Sequence, residues 1–268
     1  MNTYKIDTDD IYFAGDLHGE FKTINVTINR YNLENCGIVI CGDIGLGFEK
    51  EEYYNQTFKH ITKTLQKRNV HIYMFRGNHD NKDYFDGKHF IDFEYIHVIP
   101  DYSVISTPNR NILCIGGATS IDRTWRKNNM ERLQIQYMKH HTCGWDEAER
   151  NARQLYWENE PIVFDKVLLD EIDNSRIKID TICSHTAPTF CQPLVKNGIE
   201  GWLAVDDKLN EDLENERKIC DDILLYLIEN EHPIQNWYYG HFHFKNVEII
   251  DDIKYTLLDM SRDLMNLA

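Results

Sequence analysis

The sequence lacks the cysteine pattern of a disulfide-rich protein or a zinc ribbon. Its seven cysteines are an odd number, and no two of them form a Cys-x-x-Cys pair. Cys41, Cys114 and Cys183 lie in apolar runs, where a thiol behaves as a small hydrophobic side chain. We therefore expect free thiols, which are typical of a reducing compartment.

Long hydrophobic runs are also absent. No span of 18 apolar residues occurs, and residues 1–7 lack the apolar region of a secretory signal. Hydrophobic residues still make up 42% of the chain, which is enough for a large core. These features predict a globular protein of the cytoplasm that has no membrane association.

Positive charge is scarce. The chain has 29 Lys and Arg residues against 44 Asp and Glu residues, so its formal net charge is −15. A groove that follows long nucleic acids needs a basic face, so such a partner is disfavoured. A small phosphorylated substrate is compatible with this charge, because bound cations can reverse the local sign.

No linker rich in Gly, Ser or Pro divides the chain, and no internal repeat occurs. We therefore predict one domain over residues 1–268. The more polar region at about 128–177 has mostly helical character, and we expect it to be an insertion packed against the main domain.

Apolar runs alternate with amphipathic stretches in the first part of the chain. The runs at 11–15, 37–42 and 70–75 predict buried strands, while 20–31 and 50–69 have helical apolar spacing. Strands that alternate with helices indicate βαβ units and a largely parallel sheet, so we assign the α/β class. Polar ligands bind such sheets at the carboxyl ends of the strands.

Side chains that can bind metals follow five predicted strands. They are Asp16 with His18, Asp43, Asn78 with His79 and Asp80, His185, and His241 with His243. Residues two apart on an extended segment point to the same side, so each spaced pair can reach one point. Oxygen and imidazole donors without thiolate suit Mn, Fe, Co, Ni or Zn. The number of donors fits two ions that share one carboxylate.

The segments that carry these residues resemble the five sequence boxes of the calcineurin-like metallophosphoesterases. The matching segments are Gly15-Asp16-Leu17-His18-Gly19, Gly42-Asp43, Gly77-Asn78-His79-Asp80, Ser184-His185 and Gly240-His241-Phe242-His243. The resemblance extends over residues 11–258. It implies a four-layer αββα sandwich of two mixed β-sheets flanked by helices, with the site at one edge.

The resemblance also implies two divalent transition-metal ions, with manganese among the candidates, and hydrolysis of phosphate esters by activated water. The implied ligands are Asp16, His18 and His243 for the first ion, Asn78, His185 and His241 for the second, and Asp43 as the bridge.

His79 is adjacent to Asn78 but lies outside the implied ligand set. We assign it as the general acid that protonates the leaving oxygen, and the resemblance agrees with this role. Asp80 is expected to orient the imidazole of His79.

The second box departs from that of the Ser/Thr protein phosphatases in this family. Those enzymes carry GDxxDRG, whose arginine clamps phosphate, whereas here the segment reads Gly42-Asp43-Ile44-Gly45-Leu46-Gly47-Phe48. A dedicated phosphoprotein phosphatase is therefore less favoured. Arg123 and Arg126 are hypotheses for a substitute phosphate contact, and pairing of both with acidic neighbours is an equally good interpretation.

Three functions stay open at this point. We favour a phosphohydrolase that acts on a small monoester, a diester or a phosphoprotein. A nuclease or cyclic-nucleotide phosphodiesterase is the alternative, and salt-dependent DNA binding would distinguish it. A non-catalytic scaffold is disfavoured, because no implied ligand and no general acid is missing. The oligomeric state is left open.

Overall fold

Two β-sheets packed face to face form the centre of the protein. The computed structural model describes residues 1–87, 91–142, 144–145, 154–260 and 265–266. Its strands are β1 (Thr3–Lys5), β2 (Ile11–Ala14), β3 (Cys36–Cys41), β4 (Val70–Phe75), β5 (Asp92–Phe93), β6 (Ile96–Val98), β7 (Ser103–Ser106), β8 (Asn111–Ile115), β9 (Thr181–Ser184), β10 (Asn236–Tyr239), β11 (Asn246–Ile250), β12 (Ile253–Leu257) and β13 (Met265–Asn266).

The helices lie between the strands along the chain, and α1, α2, α4 and α6 pack on the outer faces of the sheets. They are α1 (Lys22–Arg30), α2 (Glu51–Arg68), α3 (Arg123–His141), α4 (Lys166–Asn174), α5 (Glu200–Leu203) and α6 (Leu209–Glu229), and a 3₁₀ helix spans Lys82–Phe85.

Both sheets are mixed. The six-stranded sheet has the order β13-β2-β3-β4-β6-β5, in which β2, β3, β4 and β6 run parallel and the two edge strands pair antiparallel. The seven-stranded sheet has the order β1-β7-β8-β9-β10-β12-β11, and its antiparallel pairs are β7 with β8 and β11 with β12. In both sheets, parallel strands connected through helices deliver their carboxyl ends to one edge.

Three apolar clusters fill the spaces between the layers. Phe58 and its neighbours join α1 and α2 to the outer face of the six-stranded sheet. Phe13 from that sheet and Tyr238 from the other stack between the two sheets, with ring centroids 3.9 Å apart. Leu169 of α4 and Ile223 of α6 pack on the outer face of the seven-stranded sheet. The predicted αββα sandwich is therefore confirmed.

Helix α2 shows how the sequence determines these layers. Glu51 and Glu52 in its first turn complement the helix dipole, and Asn69 ends the helix in a left-handed conformation with φ of 51°. One helix face is buried, and it consists of Tyr54, Phe58, Ile61 and Leu65. This spacing places these four large side chains on the sheet.

The region at about 128–177 contains most of α3 and all of α4. Residues 143 and 146–153 lie outside the described residues, so the bounds of the insertion and the single-domain organisation stay predictions. Six cysteines are described, and all of them are free and buried, as expected. No helix within the described ranges has both the length and the apolar character that crossing a membrane requires.

Candidate metal centre

The loops after β2, β3, β4, β9 and β10 bring the predicted ligands together in two groups. The outer cluster consists of Asp16, His18, Asp43 and His243, and the inner cluster consists of Asp43, His185 and His241. Within each cluster the ligand atoms lie within 4.8 Å of one another. Asp43 belongs to both clusters, which is the position that a bridging ligand needs.

Glycines allow the backbone to approach the ligands this closely. A Cβ atom at Gly77 would lie 2.1 Å from Asp43 Oδ1, and one at Gly42 would lie 2.2 Å from His185 Nδ1. Asp43 itself has a φ of 47°, and His241 has a φ of 70°. Strained backbone of this kind persists only where the surrounding structure holds it, and it is common at functional sites.

Asp16 organises the outer cluster. Its Oδ2 lies 2.8 Å from His243 Nε2, and its Oδ1 accepts a hydrogen bond of 2.9 Å from the backbone N–H of His241. His18 Nε2 lies 3.1 Å from His243 Nε2 and 3.8 Å from Asp43 Oδ2. Two imidazole nitrogens and two carboxylates thus face one another, and a shared cation satisfies them all.

His185 holds the inner cluster in place. Its Nδ1 donates to the carbonyl oxygen of Cys41 at 2.7 Å, which directs Nε2 toward Asp43 Oδ1 at 3.2 Å and Asn78 Oδ1 at 3.0 Å. This is the arrangement in which a supporting hydrogen bond fixes the tautomer of a metal-binding imidazole. His241 Nδ1 is buried and has no hydrogen-bond partner among the described residues, so it is open to a cation.

The charges of the site favour a cation as well. Burial alone would raise the pKa of Asp43, but the imidazoles of His185 and His79 outweigh it and hold that pKa well below its usual value. Burial lowers the pKa of His185, yet Asp43 and Asp16 raise it to about 9. A proton on His185 therefore takes the place that a metal ion would take, and metal binding releases it. The residues present fit a divalent ion in each cluster.

The family model for calcineurin-like phosphoesterases matches residues 10–245. The chain belongs to this family. It is therefore a metal-dependent phosphoric ester hydrolase, as the sequence predicted. No curated protein matches the sequence.

Solved structures with a similar fold are distant in sequence. A dimetal phosphatase from Danio rerio is 13% identical, covers 94% of this chain and 87% of its own, and has a TM-score of 0.46. The phosphopantetheinyl hydrolase of Mycobacterium tuberculosis is 12% identical, with 96% and 95% covered and a TM-score of 0.39. GAP50, the anchor in the inner membrane complex of Plasmodium, is 13% identical, with 94% and 72% covered and a TM-score of 0.39.

Asn78 of this phosphoesterase is oriented by two residues that the sequence analysis missed. Its Nδ2 donates to Ser120 Oγ at 2.8 Å, and Ser120 Oγ donates to Glu160 Oε2 at 2.8 Å. The direction of these donors turns Asn78 Oδ1 toward the inner cluster. Burial raises the pKa of Glu160 to about 8. No spacing rule connects these residues, because 40 positions separate Ser120 from Glu160.

His79 lies beside the phosphoesterase's ligands without joining either cluster. Its backbone N–H donates to Asp43 Oδ1 at 2.8 Å, and its Nε2 lies 3.9 Å from Asp43 Oδ2. The ring lines a cavity of about 410 Å³ together with His18, Tyr53 and Arg126. Burial lowers the pKa of His79 to about 4, with Asp43 opposing and Arg126 reinforcing the shift.

Asp80 does not make the contact with the His79 ring that we expected from the sequence. Its buried carboxylate makes no hydrogen bond to the His79 ring within the part of the chain that is described. It accepts hydrogen bonds of 2.7–3.0 Å from the backbone N–H groups of Ile44, Gly45, Leu46 and Gly77. Burial, then Asp43, raises its pKa to about 7. Asp80 thus joins the loop after β3 to the loop after β4.

The two arginines have different surroundings. Arg123 makes ion pairs of 2.6 Å with Asp206 and 2.7 Å with Asp212. Its guanidinium is therefore engaged by carboxylates, and the phosphate contact suggested for it is replaced by this pairing. Arg126 pairs with Asp122, and its Nη2 reaches to 3.4 Å from His79 Nε2 at the wall of the cavity. Of the two arginines, only Arg126 lines this cavity.

Lys196 is a further residue that the sequence analysis missed. Its Nζ lies 3.5 Å from His241 Nε2, and it lines a second cavity, not the one beside His79. It follows Ser184-His185 by more than ten positions in a segment without regular structure. No short motif marks it, so the sequence alone offered no signal.

Proposed function

We propose that this phosphoesterase hydrolyses small phosphate esters at a centre of two divalent transition-metal ions. The place of Asp43, whose carboxylate belongs to both ligand clusters, is the observation that carries the proposal. When bound, the two ions would activate water toward phosphorus and neutralise charge on the phosphate oxygens.

The proposed ligands follow the two clusters. Imidazole and oxygen donors without thiolate support Mn, Fe, Co, Ni or Zn over Mg or Ca. The ligands are Asp16, His18 and His243 for the outer ion, Asn78, His185 and His241 for the inner ion, and Asp43 for both.

His79 is proposed to give the leaving oxygen its proton. The ring borders the cavity, and its Nε2 lies within 4 Å of both Asp43 and Arg126. Burial and Arg126 lower the pKa of His79 to about 4, so at neutral pH the ring needs a neighbouring anion to hold the proton that it donates. A phosphate anion next to the ring counteracts this lowering and keeps the proton on Nε2 until the leaving oxygen accepts it.

Arg126 is proposed to bind a phosphate oxygen from the wall of the same cavity, next to His79. The cavity volume of about 410 Å³ supports a small substrate. The net charge of −15 gives no support to a long nucleic acid. The buried free thiols support the proposed cytoplasmic location.

Reconstitution tests the two-ion proposal. Metal-free protein is loaded with one metal at a time, and bound metal and hydrolysis of p-nitrophenyl phosphate and bis-p-nitrophenyl phosphate are measured together. We expect two ions per chain and turnover only in loaded protein. Protein that holds two ions and hydrolyses neither ester would reject the proposed chemistry.

A series of aryl phosphates with leaving groups of increasing pKa tests the proton donor. We expect His79→Ala to keep its metal content and to lose about 10²–10⁴-fold in rate with the poorest leaving groups, but little with p-nitrophenolate. His60→Ala, on the exposed face of α2, is the matched control. An equal loss across the series would remove His79 from this role.

A further inference from the structure

A second cavity of about 370 Å³ lies between α6 and the segment that precedes α5. Much of its wall is apolar and consists of Leu194, Val195, Ile199, Leu213 and Phe242, and the charged side chains of Glu214, Glu216 and Lys218 line it as well. Leu194 and Val195 are 56% and 59% exposed. Neighbouring apolar side chains exposed on a concave wall are a common property of ligand sites.

The cavity continues from the metal centre. His241 lines it and also belongs to the inner cluster. Lys196 lines it next to His241. A ligand in this cavity therefore meets a positive charge and a metal ligand at one end, and an apolar wall beyond them.

Lys196 is placed to hold an anion at that end. Its ammonium makes no ion pair with any carboxylate among the described residues, and its one hydrogen-bond contact there is His241 Nε2 at 3.5 Å. If Nδ1 of His241 binds the inner ion, Nε2 carries the ring proton and cannot accept from Lys196. The ammonium then needs another acceptor, and a phosphate oxygen at the metal centre is the chemically matched one.

The wall of the cavity is held in shape before any ligand arrives. Arg217 is 7% exposed, and its guanidinium is the group that fixes the segment. It donates to the carbonyl oxygens of Pro188, Cys191, Pro193 and Leu194 at 2.6–3.2 Å. A preformed wall reduces the entropy that binding would otherwise cost.

The geometry points to a site for the retained, apolar ester group of a phosphodiester, with Lys196 contacting its phosphate. The inference rests on the proposed function, because it takes His79 as the proton donor. His79 lines the first cavity, and none of the described residues lines both cavities. The leaving oxygen must be near His79, so the group that extends past Lys196 is the one that stays on phosphorus.

The reaction balances with water alone. The oxygen of water forms a bond to phosphorus, and the bond from phosphorus to the leaving oxygen breaks with its electron pair on that oxygen. The leaving oxygen takes the proton from the Nε2 of protonated His79, which becomes neutral, and the proton lost by water restores the imidazolium. The products are an alcohol and a phosphate monoester that keeps the apolar group.

Linear p-nitrophenyl alkyl phosphates, from methyl to hexyl, test the inference in the metal-loaded protein. The leaving group is constant, so only the retained group changes. We expect kcat/KM to rise by up to about fourfold per methylene until the cavity is full. Leu213→Trp should flatten this dependence, and Leu225→Trp, at a 54% exposed position of the same helix, should keep it.

Lys196 has its own test in the same series. Lys196→Ala should lower kcat/KM for every member by a similar factor and leave the slope unchanged, and Lys196→Arg should restore part of the loss. A variant that changes only the slope would contradict the phosphate contact.

Calorimetric binding of methyl- to hexylphosphonate, which cannot be hydrolysed, separates the two proposals. If the affinity for the phosphonates rises with chain length in the unmodified protein but not in Leu213→Trp, the cavity binds the alkyl group. This result would stand even if no ester is hydrolysed and the proposed function fails. Hydrolysis of p-nitrophenyl phosphate without hydrolysis of the alkyl diesters overturns the inference and leaves the proposed function standing. The inference is also overturned if kcat/KM does not change with alkyl chain length, or if Leu213→Trp keeps the same dependence on chain length.

Discussion

The outer and inner clusters share Asp43 but differ in their exposure to solvent. The side chains of His18 and His243 in the outer cluster are 26% and 39% exposed. His185 and His241 in the inner cluster are 0% and 1% exposed. We therefore expect an ion in the outer cluster to exchange with water and chelators faster than an ion in the inner cluster.

The hydrogen bonds that orient the ligands also differ between the two clusters. His185 and Asn78 each have a buried partner that fixes their orientation, namely the Cys41 carbonyl and Ser120. For His18, the contacts found in the described chain are with other members of its own cluster and with the neighbouring His79 ring. Preorganised ligands lose less entropy on binding, so we expect the inner ion to bind more tightly than the outer ion.

The largest effect is expected from a variant that disrupts both clusters at once. Asp43→Asn takes away the carboxylate that both clusters share, so both ions should bind weakly and the rate should fall by at least about 10³-fold. Metal content after gel filtration and the rate with p-nitrophenyl phosphate are the measurements. Asp222→Asn on the exposed side of α6 is the control, and normal content of both ions in Asp43→Asn would remove Asp43 as the bridge.

His241→Ala and His243→Ala separate the clusters. His241→Ala should lower the affinity of the inner ion by more than about 100-fold, beyond what loss of a supporting hydrogen bond costs. His243→Ala should lower the affinity of the outer ion, and excess metal should restore more of its activity. Competition with a chelator measures both affinities. Loss of the same ion in both variants would show that the clusters are not separate sites.

Ser120→Ala tests the support of the inner cluster. Without Ser120 Oγ, the amide of Asn78 loses its shortest orienting contact and keeps the 3.3 Å contact of Nδ2 with His79 Nε2. The affinity of the inner ion should therefore fall by about 10–100-fold while the outer ion is unaffected. Ser120→Thr keeps the hydroxyl and serves as the conservative control. An unchanged inner affinity in Ser120→Ala would show that another contact fixes the amide.

The smallest expected effect is a pH dependence of folding stability. Burial raises the pKa of Glu160 from its usual 4.5 to about 8, so the folded protein binds a proton that the unfolded chain has released. The free energy of unfolding should therefore fall as the pH rises from about 4.5 to 8, by at most about 1.4 kcal/mol per pH unit. Glu160→Gln should flatten this slope in urea unfolding of metal-free protein. An identical slope in both proteins would assign the dependence to other groups.

The clustering of the candidate ligands could be predicted from the sequence because these residues follow strand ends. Asp16 and His18, for example, come after an apolar run in one short box, and the sheet then fixes where that box lies. The layers could also be predicted, because helices such as α2 carry their apolar residues at regular spacing.

The supporting contacts could not be predicted, because they join distant parts of the chain. Glu160 reaches Ser120 across 40 positions, and Asp206 reaches Arg123 across 83. Nothing near Arg123 in the sequence indicates its pairing with Asp206. The contacts of Asp80 could not be predicted for a different reason. Its partners are backbone N–H groups, which no side-chain pattern reveals.

The ligands of both clusters come from both sheets. Asp16 and Asp43 follow strands of the six-stranded sheet, and His185 and His241 follow strands of the seven-stranded sheet. Ions bound between them would link the two halves of the sandwich, and folding free energy would then depend on the supply of metal. When metal is scarce, the enzyme would become an easier target for proteases, and its abundance would fall together with its activity.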